Sequence, residues 1–139
     1  KIKMNSEEQE KAIRLINRHY FEALLLRETR ICLVKDNYRI GIYTLCGSQN
    51  ESVLNIIKNI YKAELFGTAF NINIIENDIV INFNNGSTIK ILDYHNKERG
   101  NRFNEVIINN LICHKDVYEL IEPKIIKYNT KYMFYCQFE

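Results

Sequence analysis

The chain has 139 residues, of which 46% are hydrophobic and 26% charged, a composition typical of one folded domain and not of a disordered segment. Its formal net charge of +2 is too small to indicate or exclude nucleic acid as a partner. There is no apolar run long enough to span a bilayer and no signal peptide, so we expect a cytoplasmic protein without a membrane partner.

The hydrophobic patterns divide the chain into short helices and strands, which predicts a single α/β domain. Apolar residues at three- and four-residue spacing indicate helices, whereas short β-branched or alternating runs indicate strands. In chain order these patterns predict a helix at about 6–26, strands at 30–34 and 38–45, a helix at 49–64, strands at 70–75, 79–83, 88–92 and 105–109, a helix at 116–121 and a strand at 132–136.

Capping residues mark the predicted helix starts. Ser6 with Gln9, and Ser48 with Glu51, each have the spacing of a capping box, in which two side chains satisfy the exposed main-chain amides. At the other end of the chain, Pro123 is expected to stop the 116–121 helix because proline lacks an N–H donor.

Two segments predict β-hairpin turns. The polar residues 35–37 separate the first two strands, of which the second is apolar enough to be a central strand. Between the strands at 79–83 and 88–92, Asn84-Asn85-Gly86-Ser87 predicts a type I′ turn, since Asn-Gly tolerates positive φ at both central positions.

The four cysteines form no Cys-x-x-Cys pair, and each is flanked by apolar residues. This pattern predicts buried free thiols in a reducing compartment and no zinc site.

A charged loop at 93–103 leads into the run Val106-Ile107-Ile108, which is short, β-branched and bounded by polar residues. Such a run is typical of a fully buried strand. The loop lies before this strand, at the side of the sheet where α/β proteins bind ligands, and its cations suit phosphate oxygens or a partner protein. The candidate binding residues are Lys97, Arg99, Gly100 and Arg102. The alternative is a solvated loop in which Arg99 pairs with Asp93 or Glu98.

Gly47 and Ser48 are a second, weaker candidate anion site, because the free amides of a helix start attract anions; a plain helix cap is the favoured alternative. His95 and His114 are weaker candidates for acid–base groups paired with Asp93 or Asp116. The tyrosines near the end of the chain either stack on bases or fill a core edge or a subunit contact; they are Tyr128, Tyr132 and Tyr135.

Four segments follow one another in a fixed order between Ile40 and Phe138. They are Ile40-Gly41-Ile42-Tyr43 through Gly47-Ser48 and its helix, Ile79 to Ile89 with Asn85-Gly86-Ser87 inside it, Arg99-Gly100-Asn101-Arg102-Phe103 leading into Val106-Ile107-Ile108, and Ile121-Glu122-Pro123-Lys124-Ile125 ahead of the last strand. This order resembles the ATPase domain of the large terminase subunit, the DNA-packaging motor of tailed phages. The resemblance implies a P-loop-like core: a central mixed sheet flanked by helices, with an added β-hairpin.

The chain departs from that family at both positions that handle nucleotide. A motor needs Gly-x-x-x-x-Gly-Lys-Ser/Thr, but five residues separate Gly41 from Gly47 and no lysine follows Gly47. Where the resemblance implies the acidic pair that holds Mg²⁺, the chain has Asn109 and Asn110, which bring no charge and cannot act as a base. We therefore expect no catalytic residue, no metal and no cofactor.

These departures predict a pseudo-ATPase: a non-catalytic, phage-related binding module that acts through a protein partner, either the packaging motor or a host or defence factor that it inhibits. Two alternatives stay open. One is a nucleic-acid-binding accessory protein that uses the Arg-Gly-Asn-Arg loop, and the other is an ATPase subunit completed in trans.

Overall fold

The helices and strands of the chain alternate through most of its length. A computed structural model describes residues 3–61, 70–95, 102–125 and 129–138. Its elements are α1 (Ser6–Thr29), α2 (Ile31–Val34), β1 (Arg39–Thr44), α3 (Gly47–Tyr61), β2 (Phe70–Ile75), β3 (Asp78–Phe83), β4 (Thr88–Asp93), β5 (Glu105–Asn109), α4 (His114–Ile125) and β6 (Lys131–Tyr135).

The strands form one six-stranded mixed sheet in the order β2-β3-β4-β1-β5-β6. Strand β1 pairs in parallel with β4 and β5, and β5 pairs in parallel with β6. Strand β3 pairs antiparallel with both β2 and β4. The expected α/β class, the mixed sheet, the 79–92 hairpin and the interior position of β1 are therefore confirmed. All five residues of β5 are buried, as the uninterrupted apolar run predicts for a strand covered on both faces.

Helices cover both faces of the sheet. The larger apolar cluster joins α1 and α3 to one face, through residues such as Phe21, Ile57 and Ile107. The smaller cluster joins α4 to the other face through Leu120, Val106 and their neighbours. Adjacent residues of a strand point to opposite faces, which explains why Val106 and Ile107 belong to different clusters.

Phe103 packs directly on Gly41 in β1. A Cβ added to Gly41 would lie 2.6 Å from Cε2 of the Phe103 ring, so only glycine leaves room for that ring. The same ring meets Tyr43 edge-on, with 6.3 Å between ring centroids. The close contact fixes the end of the 93–103 loop against the α4 face of β1.

The prediction of a strand at 30–34 and a hairpin turn at 35–37 is wrong. Residues 31–34 form the short helix α2, closed by the bond from the Lys35 amide to the Ile31 carbonyl (2.9 Å). The segment after α2 docks on the β3–β4 turn instead of pairing with a strand. The Ser87 hydroxyl donates to the Lys35 carbonyl (2.6 Å) and accepts from the Tyr38 amide (3.0 Å). A four-residue apolar run is too short to distinguish helix from strand, so these tertiary bonds decide.

The type I′ assignment for Asn84–Ser87 is also wrong. Gly86 alone within this turn has positive φ, at 84°, whereas a type I′ turn needs positive φ at two positions. The Gly86 amide donates to the Phe83 carbonyl (3.1 Å), and the Phe83 amide donates to the Ser87 carbonyl (2.8 Å). This is the three-residue hairpin loop that ends in a left-handed glycine.

Both capping boxes differ from the prediction. Asn5, not Ser6, caps α1: its Oδ1 accepts from the Glu8 amide at 2.8 Å and its Nδ2 donates to the Glu8 carboxylate at 3.2 Å. The cap therefore lies one residue earlier than predicted, and the second bond joins the two side chains. At α3, which begins at Gly47, the Gln49 side chain reaches back to the Leu45 amide (3.0 Å).

Pro123 does not stop α4, which continues to Ile125. The proline removes one main-chain donor within the last turn, and the helix ends two residues after it.

Only one of the four cysteines is fully buried, contrary to the prediction. All four are free thiols, but Cys46 and Cys113 are exposed and Cys136 is half-buried. Cys32 is fully buried, and burial together with the nearby Glu105 carboxylate raises its pKa to about 12.

Candidate functional site

The link between β1 and α3 is too short to wrap a phosphate. Strand β1 ends at Thr44 and α3 begins at Gly47, which leaves Leu45 and Cys46 between them. A phosphate loop needs several successive main-chain amides turned toward one point. Two residues do not supply that concave surface. The β1–α3 link therefore lacks the shape of a phosphate loop, just as its sequence lacks the lysine motif.

The chain's own side chains occupy the space beyond the carboxyl end of β1. The Thr44 hydroxyl donates to Oδ1 of Asn50 at 2.5 Å, and the Asn50 Nδ2 donates to the Asn77 carbonyl at 2.7 Å. Thr44 and Asn50 are both buried. A Cβ at Gly47 would lie 2.8 Å from the Asn77 side chain, so the β2–β3 turn closes directly over the start of α3.

Asn109 is held in a second chain of hydrogen bonds at the carboxyl end of β5. Its Nδ2 donates to Oε1 of Gln137 (2.9 Å) and its Oδ1 accepts from the Leu111 amide (2.9 Å). The same Gln137 oxygen accepts from Nε2 of Gln49 (3.3 Å), whose own oxygen accepts from the Leu45 amide. Main-chain donors at both ends fix the orientation of every amide in this network. We refer to Gln49, Asn109 and Gln137 as the amide network.

The amide network takes the place that a bound cation or phosphate would need. Asn109 is 0% exposed, and the recess beside Gln49 and Gln137 is too narrow to admit a nucleotide. Asn110, by contrast, is exposed, with its amide bonded to the Tyr135 carbonyl (2.8 Å) and its Nδ2 to Sγ of Cys136 (3.2 Å). Asn109 and Asn110, at the degenerate metal position, therefore have different surroundings.

Three of the candidate loop residues fall on 96–101, outside the described residues; they are Lys97, Arg99 and Gly100. Arg102 is described and exposed, one residue before Phe103 packs on β1. Asp93, a proposed partner of Arg99, bonds to His95, with 2.7 Å between Oδ1 and Nδ1.

The second anion candidate behaves as a helix start closed by its own residues. Gly47 is the first residue of α3, and Ser48 is exposed, with its hydroxyl 3.1 Å from Sγ of Cys46. The Gln49 amide donates to the Cys46 carbonyl, so this amide already has a partner within the chain. Gly47 and Ser48 therefore lie in the first turn of α3, where the Ser48 hydroxyl contacts Cys46.

His95 and His114 are exposed, and the described tyrosine candidates lie on β6. His95 is exposed, and its amide also bonds to Asp93 (2.9 Å), which is the geometry of a local turn. His114 is exposed at the start of α4. Tyr135 stacks on Phe21, with ring centroids 4.1 Å apart, and fills the core. Tyr132 is half-exposed on β6, whereas Tyr128 lies outside the described residues.

Sequence reasoning missed a buried charged cluster at the opposite, amino end of the parallel strands. Glu28, from the last turn of α1, and Glu105, the first residue of β5, lie together there and are 6% and 1% exposed. Lys131 and Arg27 bond to Glu28, at 2.9 Å and 3.0 Å. The sequence signal for this cluster was Glu105, a glutamate directly before the apolar run of β5.

No group of three or more His, Cys, Asp or Glu within the described ranges is arranged to hold a metal ion. Across the same ranges, no helix is both long and apolar enough to cross a bilayer. The chain matches no protein-family model, and a search of curated proteins finds no match either.

Proposed function

We propose that this chain is a non-catalytic, phage-related binding module that keeps a terminase-like scaffold and acts through protein–protein contacts. The closed carboxyl edge of the sheet carries this proposal. Thr44 with Asn50, and Asn109 with Gln137, fill with the chain's own hydrogen bonds the place where a related motor would hold phosphate and Mg²⁺.

The side-chain amides at this edge form hydrogen bonds with other groups of the same chain, both as donors and as acceptors. A ligand would have to break those bonds and leave buried polar groups unpaired, at a cost of about 1–3 kcal/mol for each group. An edge built in this way supports a structural role for this end of the sheet. We therefore propose that the binding function lies on the outer surface.

The outer surface of α1 is the best candidate for the contact. Ile13, Ile16 and Tyr20 follow one another at three- and four-residue spacing, so they lie along one side of the helix. They are 57%, 65% and 55% exposed. Leu24, the next residue of the same series, is buried in the core. We call Ile13, Ile16 and Tyr20 the α1 stripe.

The α1 stripe continues the core's apolar surface into solvent, and contiguous apolar surface of this kind marks protein contacts. The partner we propose is a protein that presents a complementary apolar groove or helix face, as in helix-in-groove recognition. A component of the packaging motor, or a host or defence factor that the module inhibits, fits this description.

The test begins with capture of partners from cells that carry the gene, followed by titration of the purified partner into the wild type and into variants. Ile16→Asp places a charge in the α1 stripe and should weaken the complex at least about tenfold, because central apolar contacts carry much of an interface's free energy. Val34→Asp is the matched control, since Val34 is 84% exposed and lies outside the stripe.

The proposal predicts that Val34→Asp binds within about twofold of the wild type, in line with the small effect of surface substitutions. A complex that tolerates Ile16→Asp as well as Val34→Asp would place the contact elsewhere. Binding to nucleic acid with an affinity that falls steeply with salt would instead favour the nucleic-acid-binding alternative.

A further inference from the structure

The buried pair of glutamates at the amino ends of β5 and β6 is unequal in its hydrogen bonds. Glu28 accepts from Lys131 and Arg27, so two cations compensate its charge. Burial opposes ionisation of Glu28, but the bonds from Lys131, Glu105 and Arg27 outweigh it and lower the pKa of Glu28 below its ordinary value. Glu28 is therefore the member of the pair that carries the negative charge.

Glu105 has no such compensation. Its Oε1 accepts from the Tyr38 hydroxyl at 3.0 Å, whereas Oε2 is fully buried and receives no bond from any donor in the described ranges. Lys131 pairs with Glu105 in the register of β5 and β6, and its Nζ donates to Oε2 of Glu28 at 2.9 Å, so the Glu28 carboxyl lies beside that of Glu105. An ionised Oε2 would be a buried charge without a donor, while a protonated one donates to Glu28.

Two of the groups that face Glu105, the Cys32 thiol and the Tyr38 hydroxyl, stay neutral near neutral pH because their pKa values are raised. Burial raises the pKa of the Cys32 thiol to about 12 and, with the Glu105 charge, raises the pKa of Tyr38 well above its ordinary range. Burial and the Glu28 carboxylate raise the pKa of Glu105 to about 7. Taken by element, the charged and titratable groups around the two carboxyls are Arg27 and Glu28 on α1, Cys32 on α2, Tyr38 before β1 and Lys131 on β6.

We propose that one proton shared by Glu28 and Glu105 fastens the last turn of α1 to the amino ends of β5 and β6, and that its loss at mildly alkaline pH loosens this corner of the fold. Two adjacent carboxylates then repel, and the low exposure of both leaves little water to screen them. The inference is independent of the proposed function, because it concerns the opposite end of the sheet from the closed edge.

Glu105→Gln tests this directly, because its side-chain amide donates to Glu28 as the protonated carboxyl does but does not titrate. Between pH 5 and 8 the unfolding equilibrium constant of the wild type should rise tenfold to a hundredfold, roughly, relative to Glu105→Gln. Amide exchange of residues 27–29, corrected for the intrinsic rate, should rise over the same range in the wild type only. Glu51→Gln, at an exposed position on α3, should follow the wild type.

Carboxyl NMR of the wild type gives a readout that does not depend on the variant folding. The Glu105 carboxyl should titrate near neutral pH, and the Glu28 carboxyl should stay ionised down to acidic pH. A Glu105 carboxyl that titrates in the ordinary acidic range, or protection of residues 27–29 that is unchanged from pH 6 to 8.5, would overturn the proposal.

Discussion

Asn109 and Asn110 are adjacent, yet the same substitution should affect them very differently. In Asn109→Asp the Nδ2 donor becomes an oxygen that faces Oε1 of Gln137 across 2.9 Å. Gln137 cannot turn its amide to compensate, because that oxygen also accepts from Gln49, and Gln49 is fixed by the Leu45 amide. The introduced carboxylate would therefore meet an acceptor at the position of its lost donor.

The Tyr135 hydroxyl does not replace the hydrogen bond that Asn109→Asp loses. It already donates to the Tyr43 carbonyl at 3.1 Å, and turning toward the new carboxylate would break that bond. One lost hydrogen bond and a buried, poorly paired charge together should cost about 2–4 kcal/mol in the free energy of unfolding. Asn110→Asp, at an exposed position, should stay within about 0.5 kcal/mol of the wild type.

Urea unfolding of the two variants at neutral pH measures this difference. The sign of the pH dependence follows from burial, which raises the pKa of the introduced carboxyl above its value in the unfolded chain. The penalty should therefore be absent at acidic pH and grow as the pH rises. Equal stability of the two variants would refute this reasoning. So would recovery of the stability of Asn109→Asp on adding Mg²⁺, because recovery would mean that the position still holds a cation.

Three further predictions concern the fold. Gly41→Ala should cost about 1–3 kcal/mol of unfolding free energy by urea titration, because its Cβ would overlap the Phe103 ring, and this cost should vanish in a Phe103→Ala background. Asn5→Ala should cost about 1 kcal/mol by thermal unfolding, whereas Ser6→Ala should cost almost nothing, and the reverse order would contradict the assigned cap. In a thiol-reagent assay of the native protein, Cys32 should react only on unfolding and the exposed thiols at once, so rapid reaction of Cys32 would contradict its burial.

Strands covered on both faces could be predicted from the sequence because the local run of apolar residues alone indicates their burial. The uninterrupted apolar runs of β1 and β5 leave burial as the only outcome, and both strands lie in the interior of the sheet. Residues 31–34 could not be assigned in this way. Their conformation depends on bonds between Lys35, Tyr38 and Ser87, some 50 positions apart in the chain.

The closure of the carboxyl edge also depends on long-range pairs. The sequence indicates that Asn109 lacks a metal-binding charge, but not that Gln137, 28 positions later, holds its amide. Likewise Asn50 reaches the carbonyl of Asn77 in a turn 27 positions away. Polar residues whose partners lie in other elements carry no local signal, which is why the network itself was not predicted.

Calorimetric titration of Mg-ATP into the wild-type chain tests the central claim most directly, because the claim is that the chain's own side chains close the nucleotide edge. We predict no saturable heat of binding at ligand concentrations up to the millimolar range. Saturable binding at one nucleotide per chain, abolished by a change at Asn50 or Asn109, would contradict the account.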